Sequence, residues 1–331
     1  MSSVGIVGAT GYTGAELIRL LSGHSQVSVT HVYGNRSVGE TVRSQCAWLD
    51  CDLVLRRFDP AGDLPEMLFL CLDHGHALDL IPKLPKGVKV VDLGPDFRIR
   101  DRELHAKVYK CEVPSQPAAA YGLPELGHRE ELRAASLIAN PGCHSTASLL
   151  ALKPLADSGL ITGTPVIDSK TGVSGAGRAE KGLDSHFSEL TGSLKPYGLT
   201  GHRHISEIEQ VIGRPVRFTP HLLPIARGIE CTAHVPVSAG TTRADLVGAF
   251  RGAYENEPFV RVVGFPPTTK QVLGSNRCDV FADFDEHTGM AVVCSVIDNL
   301  VKGAAGAAIQ NMNLMLSFAE DHGLPKNGVW P

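Results

Sequence analysis

Short apolar runs alternate with amphipathic stretches over about the first 140 residues, which predicts a parallel α/β domain. Residues 4–7 form a predicted strand, residues 8–14 a glycine-spaced turn, and residues 15–21 a helix with one apolar side. A second strand at 27–33 completes a βαβ unit. A crossover helix is predicted at 77–84, and further buried strands at 67–72, 88–93 and 137–139. This pattern is typical of a doubly wound, Rossmann-like nucleotide-binding domain.

The pattern changes after Cys143. Helices are predicted at 243–254 and 302–320, and strands at 166–168, 216–220, 228–237, 279–285 and 290–298. Strands that pair locally, together with a few helices, predict an α+β domain with a mainly antiparallel sheet. Small residues begin the last helix, which suggests close packing back onto the first domain. We therefore expect one domain at 1–142, joined by a C-terminal helix at about 302–331, and another at 143–301.

Composition and charge exclude several classes of partner. The chain has 331 residues, 43% hydrophobic and 20% charged, which is typical of a globular protein with one large or two ordinary domains. A net charge of -4 without a basic run argues against a nucleic-acid-binding face and a polybasic membrane anchor. No apolar run approaches the roughly 18–20 residues that span a bilayer, and no export signal is visible. Eight scattered Cys indicate reduced thiols and a cytoplasmic protein.

The first candidate site is the glycine-spaced turn between the first strand and the first helix. Its glycines let the main chain turn tightly and approach a pyrophosphate at the helix N-terminus. The spacing differs from the common G-x-G-x-x-G pattern, and a merely tight turn is the alternative interpretation. The position after the first strand favours dinucleotide binding. The candidate cofactor-binding residues are Gly8, Ala9, Thr10, Gly11, Tyr12, Thr13 and Gly14.

The end of the second strand indicates which cofactor is preferred. Proteins that bind NAD place an acidic residue there, against the ribose hydroxyls. Here Arg36 and Ser37 occupy that stretch, with no acid before Glu40. An arginine and a serine suit a 2′-phosphate, although an exposed loop arginine is the plainer interpretation. We expect NADP(H).

The second motif, residues 140–146, is the candidate nucleophile site. Pro141 and Gly142 break the preceding strand and place Cys143 at the start of a helix. The helix N-terminus stabilises a thiolate, and its free N–H groups could hold an oxyanion. The other seven Cys are interpreted as inert residues. Pro154 is expected to bend or end this helix.

The third motif is His202-Arg203-His204 at a predicted helix start. A neutral imidazole can take a proton from a thiol and then act as an acid for a departing group. A zinc site is the rival interpretation. No metal is expected, because metal-ligand spacing is lacking among the candidates Cys46, Cys51, His74, His76, His202 and His204.

Two further features are anion-binding candidates. The loop at 171–178 is made of small residues and ends in Arg178, so it can present N–H groups and a guanidinium to a carboxylate or phosphate. Arg98 follows the strand predicted at 88–93. Each feature alone is a weak indication, since most arginines are solvated.

Taken together, these motifs resemble the N-acetyl-gamma-glutamyl-phosphate reductase family over nearly the whole chain. The stretches that carry the resemblance are 7–17, 140–143, 172–178, 202–204 and 298–306. The resemblance implies NADPH-dependent reduction of N-acetyl-gamma-glutamyl phosphate to N-acetyl-L-glutamate 5-semialdehyde, with release of phosphate, in arginine biosynthesis. It implies a thioester on Cys143, with His204 as the main acid/base and His202 close to the substrate. Such covalent catalysis divides one difficult step into two easier ones.

The resemblance also assigns the remaining positions. It implies that Asn299, Lys302 and Gly303 lie near the cofactor, and that the protein forms a homodimer or homotetramer. Residues 1–142 with about 302–331 become the NADP-binding domain, and 143–301 the catalytic, substrate and dimerisation domain. The candidate substrate-binding residues are Arg98, Asn140, Ser174, Gly175 and Arg178.

Several alternatives remain open. Aspartate-semialdehyde dehydrogenases have a similar glycine loop, but their nucleophile usually follows Asn, whereas Cys143 follows Gly142. Reductases of carrier-protein-bound glutamyl or aminoadipyl phosphate are expected to have a more basic docking face. A catalytically silent dinucleotide sensor is a third possibility, and the joint presence of the candidate catalytic residues argues against it. His144 stands where relatives usually have Tyr, which leaves the base for Cys143 open.

Overall fold

The computed structural model describes residues 1–111, 117–178 and 186–330. It contains two compact units, each built on its own sheet. The first unit combines Met1–Pro141 with Ala304–Leu324, and the second combines Gly142–Gly303 with Pro325–Pro331. Within the described ranges, no helix is long and apolar enough to cross a membrane.

The first unit has a six-stranded sheet in which every pairing is parallel. Its strands are β1 (Ser2–Val7), β2 (Val27–Tyr33), β3 (Met67–Leu70), β4 (Lys89–Asp92), β5 (Ala120–Tyr121) and β6 (Leu137–Ala139). The order is β2-β1-β3-β4-β6-β5, so the chain reverses its direction of winding beside β1. A reversal of this kind opens a crevice at the carboxyl ends of the strands, where α/β proteins bind ligands. The predicted doubly wound domain is confirmed.

Short helices connect these strands. They are α1 (Tyr12–Leu21), α2 (Val42–Gln45), α3 (His76–Leu80), α4 (Arg102–Tyr109) and α5 (Arg129–Ala134). The crossover helix predicted at 77–84 is shorter than expected, because α3 ends at Leu80 and a 3₁₀ turn, Ile81–Lys83, follows it. Pro82 lies within that turn, and because proline has no N–H it cannot donate the next α-helical hydrogen bond.

The second unit has a seven-stranded, mainly antiparallel sheet, as predicted, with parallel pairing at two places. Its strands are β7 (Val166–Gly172), β8 (Lys195–Pro196), β9 (Arg217–Leu223), β10 (Ile229–Pro236), β11 (Val260–Val262), β12 (Cys278–Asp285) and β13 (Met290–Ile297). The order is β11-β12-β13-β10-β7-β9-β8. Alternate residues of β10 are buried and half-buried, which is the pattern of a sheet with one covered side.

One long helix, α6 (Cys143–Asp157), lies on this sheet beside β10 and β13. The helices α7 (Phe187–Leu190), α8 (His204–Ile212) and α9 (Arg243–Tyr254) follow it in the chain. Both α8 and α9 pack against α6. Most residues of α6 are therefore buried, and this fixes the position of its first residue, Cys143.

Pro154 lies inside α6 and does not end it, so of the two expected effects, a bend or an end, the end is not observed. A proline has no N–H, so the Leu150 carbonyl four residues earlier loses its partner within the helix. The Tyr254 hydroxyl donates to that carbonyl at 2.8 Å instead. With the carbonyl satisfied, the helix continues to Asp157.

The C-terminal helix is also shorter than the predicted 302–320. A π-helical turn, Val301–Ala305, leads into α10 (Gly306–Met315), which packs in the first unit against α1, α5 and β4. Ser317 then adopts a left-handed φ of 59°, and the Phe318 N–H donates to the Asn313 carbonyl. This main-chain arrangement terminates a helix. The tail from Pro325 belongs to the second unit, not to the first as expected.

The contact between Tyr254 and Leu150 is open to test. We expect Tyr254→Phe to lower the free energy of unfolding by about 1–2 kcal/mol, because it leaves a buried carbonyl without a donor. Adding Pro154→Ala restores an N–H at that position and should recover most of the loss. Urea denaturation of the four proteins of this cycle measures the effect. Equal losses in both backgrounds would contradict this role of the hydroxyl.

Candidate active site

The candidate nucleophile, Cys143, is the first residue of α6. Gly142 precedes it as the N-cap, in an extended conformation and without a side chain to cap the helix. The Gly142 N–H donates to the Glu207 carboxylate of α8 at 2.8 Å. This bond fixes the turn that carries Cys143. The positive end of the α6 dipole lies at the half-buried thiol, and it favours the thiolate form.

The second candidate, His204, lies directly against this turn. It is the first residue of α8 and is buried. A Cβ atom on Gly142 would collide with Nε2 of His204 and would lie 2.8 Å from both Cδ2 and Cε1. Only glycine therefore leaves room for the imidazole. The structure thus brings Cys143 and His204 together, because the His204 ring packs on the main chain of Gly142, the residue before Cys143.

The third candidate, His202, packs beside His204. Its Nδ1 accepts the His204 N–H at 3.2 Å, and the two ring centroids are 4.7 Å apart. Burial, with a smaller effect from the Arg203 charge, lowers the pKa of His202 to about 4. His202 is therefore a neutral imidazole at physiological pH.

Three residues near these histidines, Glu207, Ser169 and Tyr197, were not predicted from the sequence. Glu207 is one turn after His204 on the same helix, and this spacing is a signal that could have been used. His144 was noted only as a departure. Its ring contacts Ser169 of β7 and Tyr197 just after β8. No local pattern at Ser169 or Tyr197 indicates a site.

The predicted substrate loop follows β7. Ser174 and Gly175 lie in a 3₁₀ turn, Val173–Ala176, and Arg178 is exposed immediately before residues that lie outside the described ranges. The Ser174 hydroxyl accepts the amide of Asn299 at 2.9 Å, and the Asn299 oxygen accepts the Gly228 N–H at 2.7 Å. Asn299 thus holds this loop in place, and its proximity to a cofactor remains a prediction.

Two other residues of the 298–306 stretch occupy distinct positions in the second unit. Gly303 lies against the nucleophile, since a Cβ atom there would be 2.9 Å from Cβ of Cys143. Lys302 is fully buried, with its ammonium 5.7 Å from the centroid of the Phe259 ring. The predicted cofactor-binding role of both stays a prediction.

In the first unit, the guanidinium of Arg98 binds main-chain carbonyls. Nε donates to the Asn140 carbonyl at 2.8 Å and Nη2 to the Leu93 carbonyl at 2.7 Å. The Asn140 side chain accepts from Asn311 at 3.1 Å and donates to the Ala304 carbonyl at 3.3 Å. These contacts fix the loops after β4 and β6. The substrate-binding role of Arg98 and Asn140 remains a prediction.

The glycine turn in the first unit is shaped as a main-chain cradle. Gly8 has a φ of 84°, and a Cβ there would collide with the Cys71 carbonyl. A Cβ at Gly14 would collide with the Gly8 carbonyl and lie 2.8 Å from Cα of Ala9. Gly11 is the N-cap of α1 and offers no capping side chain. The turn therefore fits the pyrophosphate of a dinucleotide, which N–H groups at a helix N-terminus bind.

Arg36 and Ser37 follow β2 as predicted. Arg36 is exposed and makes no ion pair with any residue of the described ranges, and Ser37 is half-buried. A cation at this strand end is available for an anion.

Comparison with known proteins gives consistent matches over the whole chain. The model of the NAD binding domain of semialdehyde dehydrogenases matches residues 3–135, and that of their dimerisation domain matches 143–299. The N-acetyl-gamma-glutamyl-phosphate reductase of Desulforudis audaxviator is 43% identical over 355 residues, covering 100% of both chains. The enzyme of the same name from Methanocaldococcus jannaschii is 42% identical over 344 residues, again covering 100% of both.

Solved structures with a similar fold include aspartate semialdehyde dehydrogenases. That of Vibrio cholerae, complexed with ASA, has a TM-score of 0.72 at 20% identity, covering 96% of this chain and 98% of its own. That of Candida albicans with NADP has a TM-score of 0.72 at 17% identity, covering 96% and 99%. At these identities the likeness shows a common fold.

The buried histidines predict how stability depends on pH. Burial lowers the pKa of His144 to about 3 and that of His202 to about 4, against 6.5 for an exposed imidazole. Below about pH 6.5 the unfolded chain binds protons that the folded chain does not. The free energy of unfolding therefore decreases as the pH is lowered, by up to about 1.4 kcal/mol per pH unit for each imidazole.

Urea denaturation between pH 7.5 and 4.5 measures this slope. We expect His144→Gln to give a shallower slope than the native protein, because one buried imidazole is lost. His287→Gln, at an exposed turn residue, serves as the matched control. A slope unchanged by His144→Gln would contradict a neutral His144 in the folded state.

Proposed function

Because the chain belongs to the N-acetyl-gamma-glutamyl-phosphate reductase family of semialdehyde dehydrogenases, we propose that it reduces N-acetyl-gamma-glutamyl phosphate to N-acetyl-L-glutamate 5-semialdehyde and releases phosphate. The protein is an NADP-dependent oxidoreductase, and this reaction is a step of arginine biosynthesis. The observation that carries the proposal is the position of Cys143 at the N-terminus of α6, with the His204 imidazole packed against Gly142.

In the first half-reaction, the Cys143 sulfur attacks the acyl carbon of the acyl phosphate. The bond from that carbon to the phosphate oxygen breaks, so a thioester forms and inorganic phosphate leaves. His204 accepts the thiol proton and returns it to the departing phosphate. Main-chain N–H groups at the start of α6 stabilise the negative charge that develops on the acyl oxygen. His202 stays neutral and accepts the His204 N–H, which keeps His204 in position.

In the second half-reaction, the Cys143 thiolate leaves as the thioester carbon becomes the aldehyde, with a hydride that NADPH would supply when bound. The same helix N-terminus then stabilises the thiolate as a leaving group. The glycine turn would hold the pyrophosphate, and Arg36 and Ser37 would hold the 2′-phosphate that distinguishes NADP(H). Asn299, Lys302 and Gly303 complete the cofactor-binding set.

The substrate carries a carboxylate and a phosphate, both of which suit arginine and N–H donors. Arg98, Asn140, Ser174, Gly175 and Arg178 are the proposed substrate-binding residues. Arg178 is the exposed cation of the loop that Asn299 holds through Ser174.

The protein is further proposed to act as a homodimer or homotetramer in the cytoplasm. The match to a dimerisation domain supports an assembly. Residues of β10 that alternate with its fully buried ones are half-buried, which leaves one side of the sheet available to another copy. All eight Cys are free thiols, which suits a reducing compartment.

The assay that tests the function is run in the direction of oxidation. The purified protein is given N-acetylglutamate semialdehyde and NADP, with and without inorganic phosphate. NADPH formation that requires phosphate, and that is absent with aspartate semialdehyde, supports the proposed substrate and the acyl-phosphate chemistry. Activity with aspartate semialdehyde alone would assign the chain to the other substrate. Inactivity with both would favour a carrier-bound substrate or a sensor.

Cys143→Ser tests the nucleophile in the same assay. A serine hydroxyl is far less acidic than a thiol, so we expect turnover to fall by a factor of about 10³ or more while NADPH binding is unchanged. Cys231→Ser is the control, because Cys231 is fully buried in β10. Native turnover in Cys143→Ser would exclude the thioester.

Arg36 is expected to set the cofactor preference. Arg36→Ala removes the cation proposed for the 2′-phosphate and should raise KM for NADPH by about tenfold or more, with little change in kcat. KM for NADH should not rise. Arg133→Ala, at an exposed residue of α5, is the matched control. Equal effects on NADPH and NADH would contradict the assignment.

A further inference from the structure

A chain of three side chains runs through the site of the second unit, next to the nucleophile. Nδ1 of His144 lies 2.6 Å from the Ser169 hydroxyl, and Nε2 lies 3.0 Å from the Tyr197 hydroxyl. Both Ser169 and His144 are buried. His144 directly follows Cys143, and its ring centroid is 5.7 Å from those of both His202 and His204. The mechanism above gives these three side chains no role.

The hydrogen bonds of this chain have one favourable direction. His144 is neutral, so one ring nitrogen donates and the other accepts. Ser169 has 0% exposure, and His144 is the hydrogen-bond partner of its hydroxyl among the described residues. If Ser169 only accepted, its own hydrogen would be buried without an acceptor, which is costly.

The direction that satisfies every hydrogen therefore starts at Ser169. The Ser169 hydroxyl donates to Nδ1 of His144, and the Nε2–H of His144 donates to the Tyr197 oxygen. The Tyr197 oxygen is thereby an acceptor within the chain, and its own O–H remains available to donate elsewhere. Each group thus donates to the next one along the chain, from Ser169 in the sheet through His144 to the phenol of Tyr197.

Tyr197 lies among the histidines of the candidate site, bonded to the side chain of the residue that follows Cys143. Its main-chain N–H donates to the Pro220 carbonyl of β9 at 3.0 Å, which fixes the residue. Its ring is 5.6 Å from that of His202. Burial raises the pKa of Tyr197, and the negative charge of the Cys143 thiolate raises it further, so the phenol stays protonated and can donate.

We propose that His144 is a positioning residue, anchored by Ser169, that orients Tyr197 so that the Tyr197 hydroxyl donates a hydrogen bond to the Cys143 thiolate. This hydrogen bond stabilises the thiolate before the substrate binds and again when the aldehyde leaves. No proton is transferred along the chain. The inference rests on Cys143 being the nucleophile, as proposed above.

The test is the acidity of Cys143 in the full-length protein without substrate or cofactor. The rate of alkylation by iodoacetamide is followed from pH 5 to 10, and mass spectrometry of the peptide that contains Cys143 separates it from the other cysteines. Tyr197→Phe keeps the ring and removes the donor, so we expect the pKa of the Cys143 thiol to rise by about one unit. Tyr109→Phe, in the first unit, is the matched control and should leave it unchanged.

Variants of His144 separate positioning from packing. His144→Leu should raise the thiol pKa as Tyr197→Phe does, and the double variant should add nothing, since both changes remove one interaction. His144→Gln keeps a donor for Tyr197 and should restore most of the shift. Ser169→Ala, a small change in a strand, should give part of the rise in the thiol pKa. If His144→Leu does not fold, Tyr197→Phe and Ser169→Ala decide.

An unchanged thiol pKa in folded Tyr197→Phe, or additive shifts from His144→Leu and Tyr197→Phe, would overturn the inference. The alkaline limb that Tyr197→Phe adds to kcat is a second readout, because turnover should recover as rising pH restores the thiolate. If the variants show these pKa shifts but the native protein fails the substrate assay, the proposed function alone would be refuted. An active protein without the shifts would refute this inference alone.

Discussion

The candidate site depends on one contact, in which α8 holds the main chain of Gly142. Glu207 binds the Gly142 N–H, and the His204 ring lies where any other residue would place its Cβ. A single helix therefore fixes the turn that carries the thiol and delivers the imidazole to it. Because both interactions involve the main chain, they set the position of Cys143 whatever rotamer its side chain adopts.

Burial decides which charges the site can hold. His144 and His202 are both far below their usual pKa because solvent is excluded from them, so neither contributes a cation beside the thiol. Apart from the proposed proton acceptor His204, a thiolate is then stabilised by dipoles, namely the N-terminus of α6 and oriented O–H and N–H groups. Such groups act in fixed directions, which is why the hydrogen bonds from β7 and β9 that hold them matter to the chemistry.

The sequence predicts those parts of the fold and site that local physics dictates. The strands, the βα turn at Gly8 to Gly14 and the start of α6 at Cys143 follow from periodicity and from residues that only certain backbones accept. The continuation of α6 past Pro154 could not be predicted locally, because the donor that replaces the missing N–H, Tyr254, is about a hundred residues away. The same holds for Ser169 and Tyr197, since tertiary structure alone brings them to His144. Glu207 was within reach through its spacing from His204.

His144 illustrates how a residue beside a nucleophile can matter without titrating. A neutral imidazole has one donor and one acceptor on opposite sides of a rigid ring, so it transmits direction from one hydroxyl to another. Ser169, fixed in the sheet, determines which nitrogen accepts, and that choice determines which way the phenol of Tyr197 can point. A leucine of similar bulk would fill the same space but could neither accept from Ser169 nor donate to Tyr197. The identity of residue 144 is therefore constrained by the direction of hydrogen bonds rather than by charge.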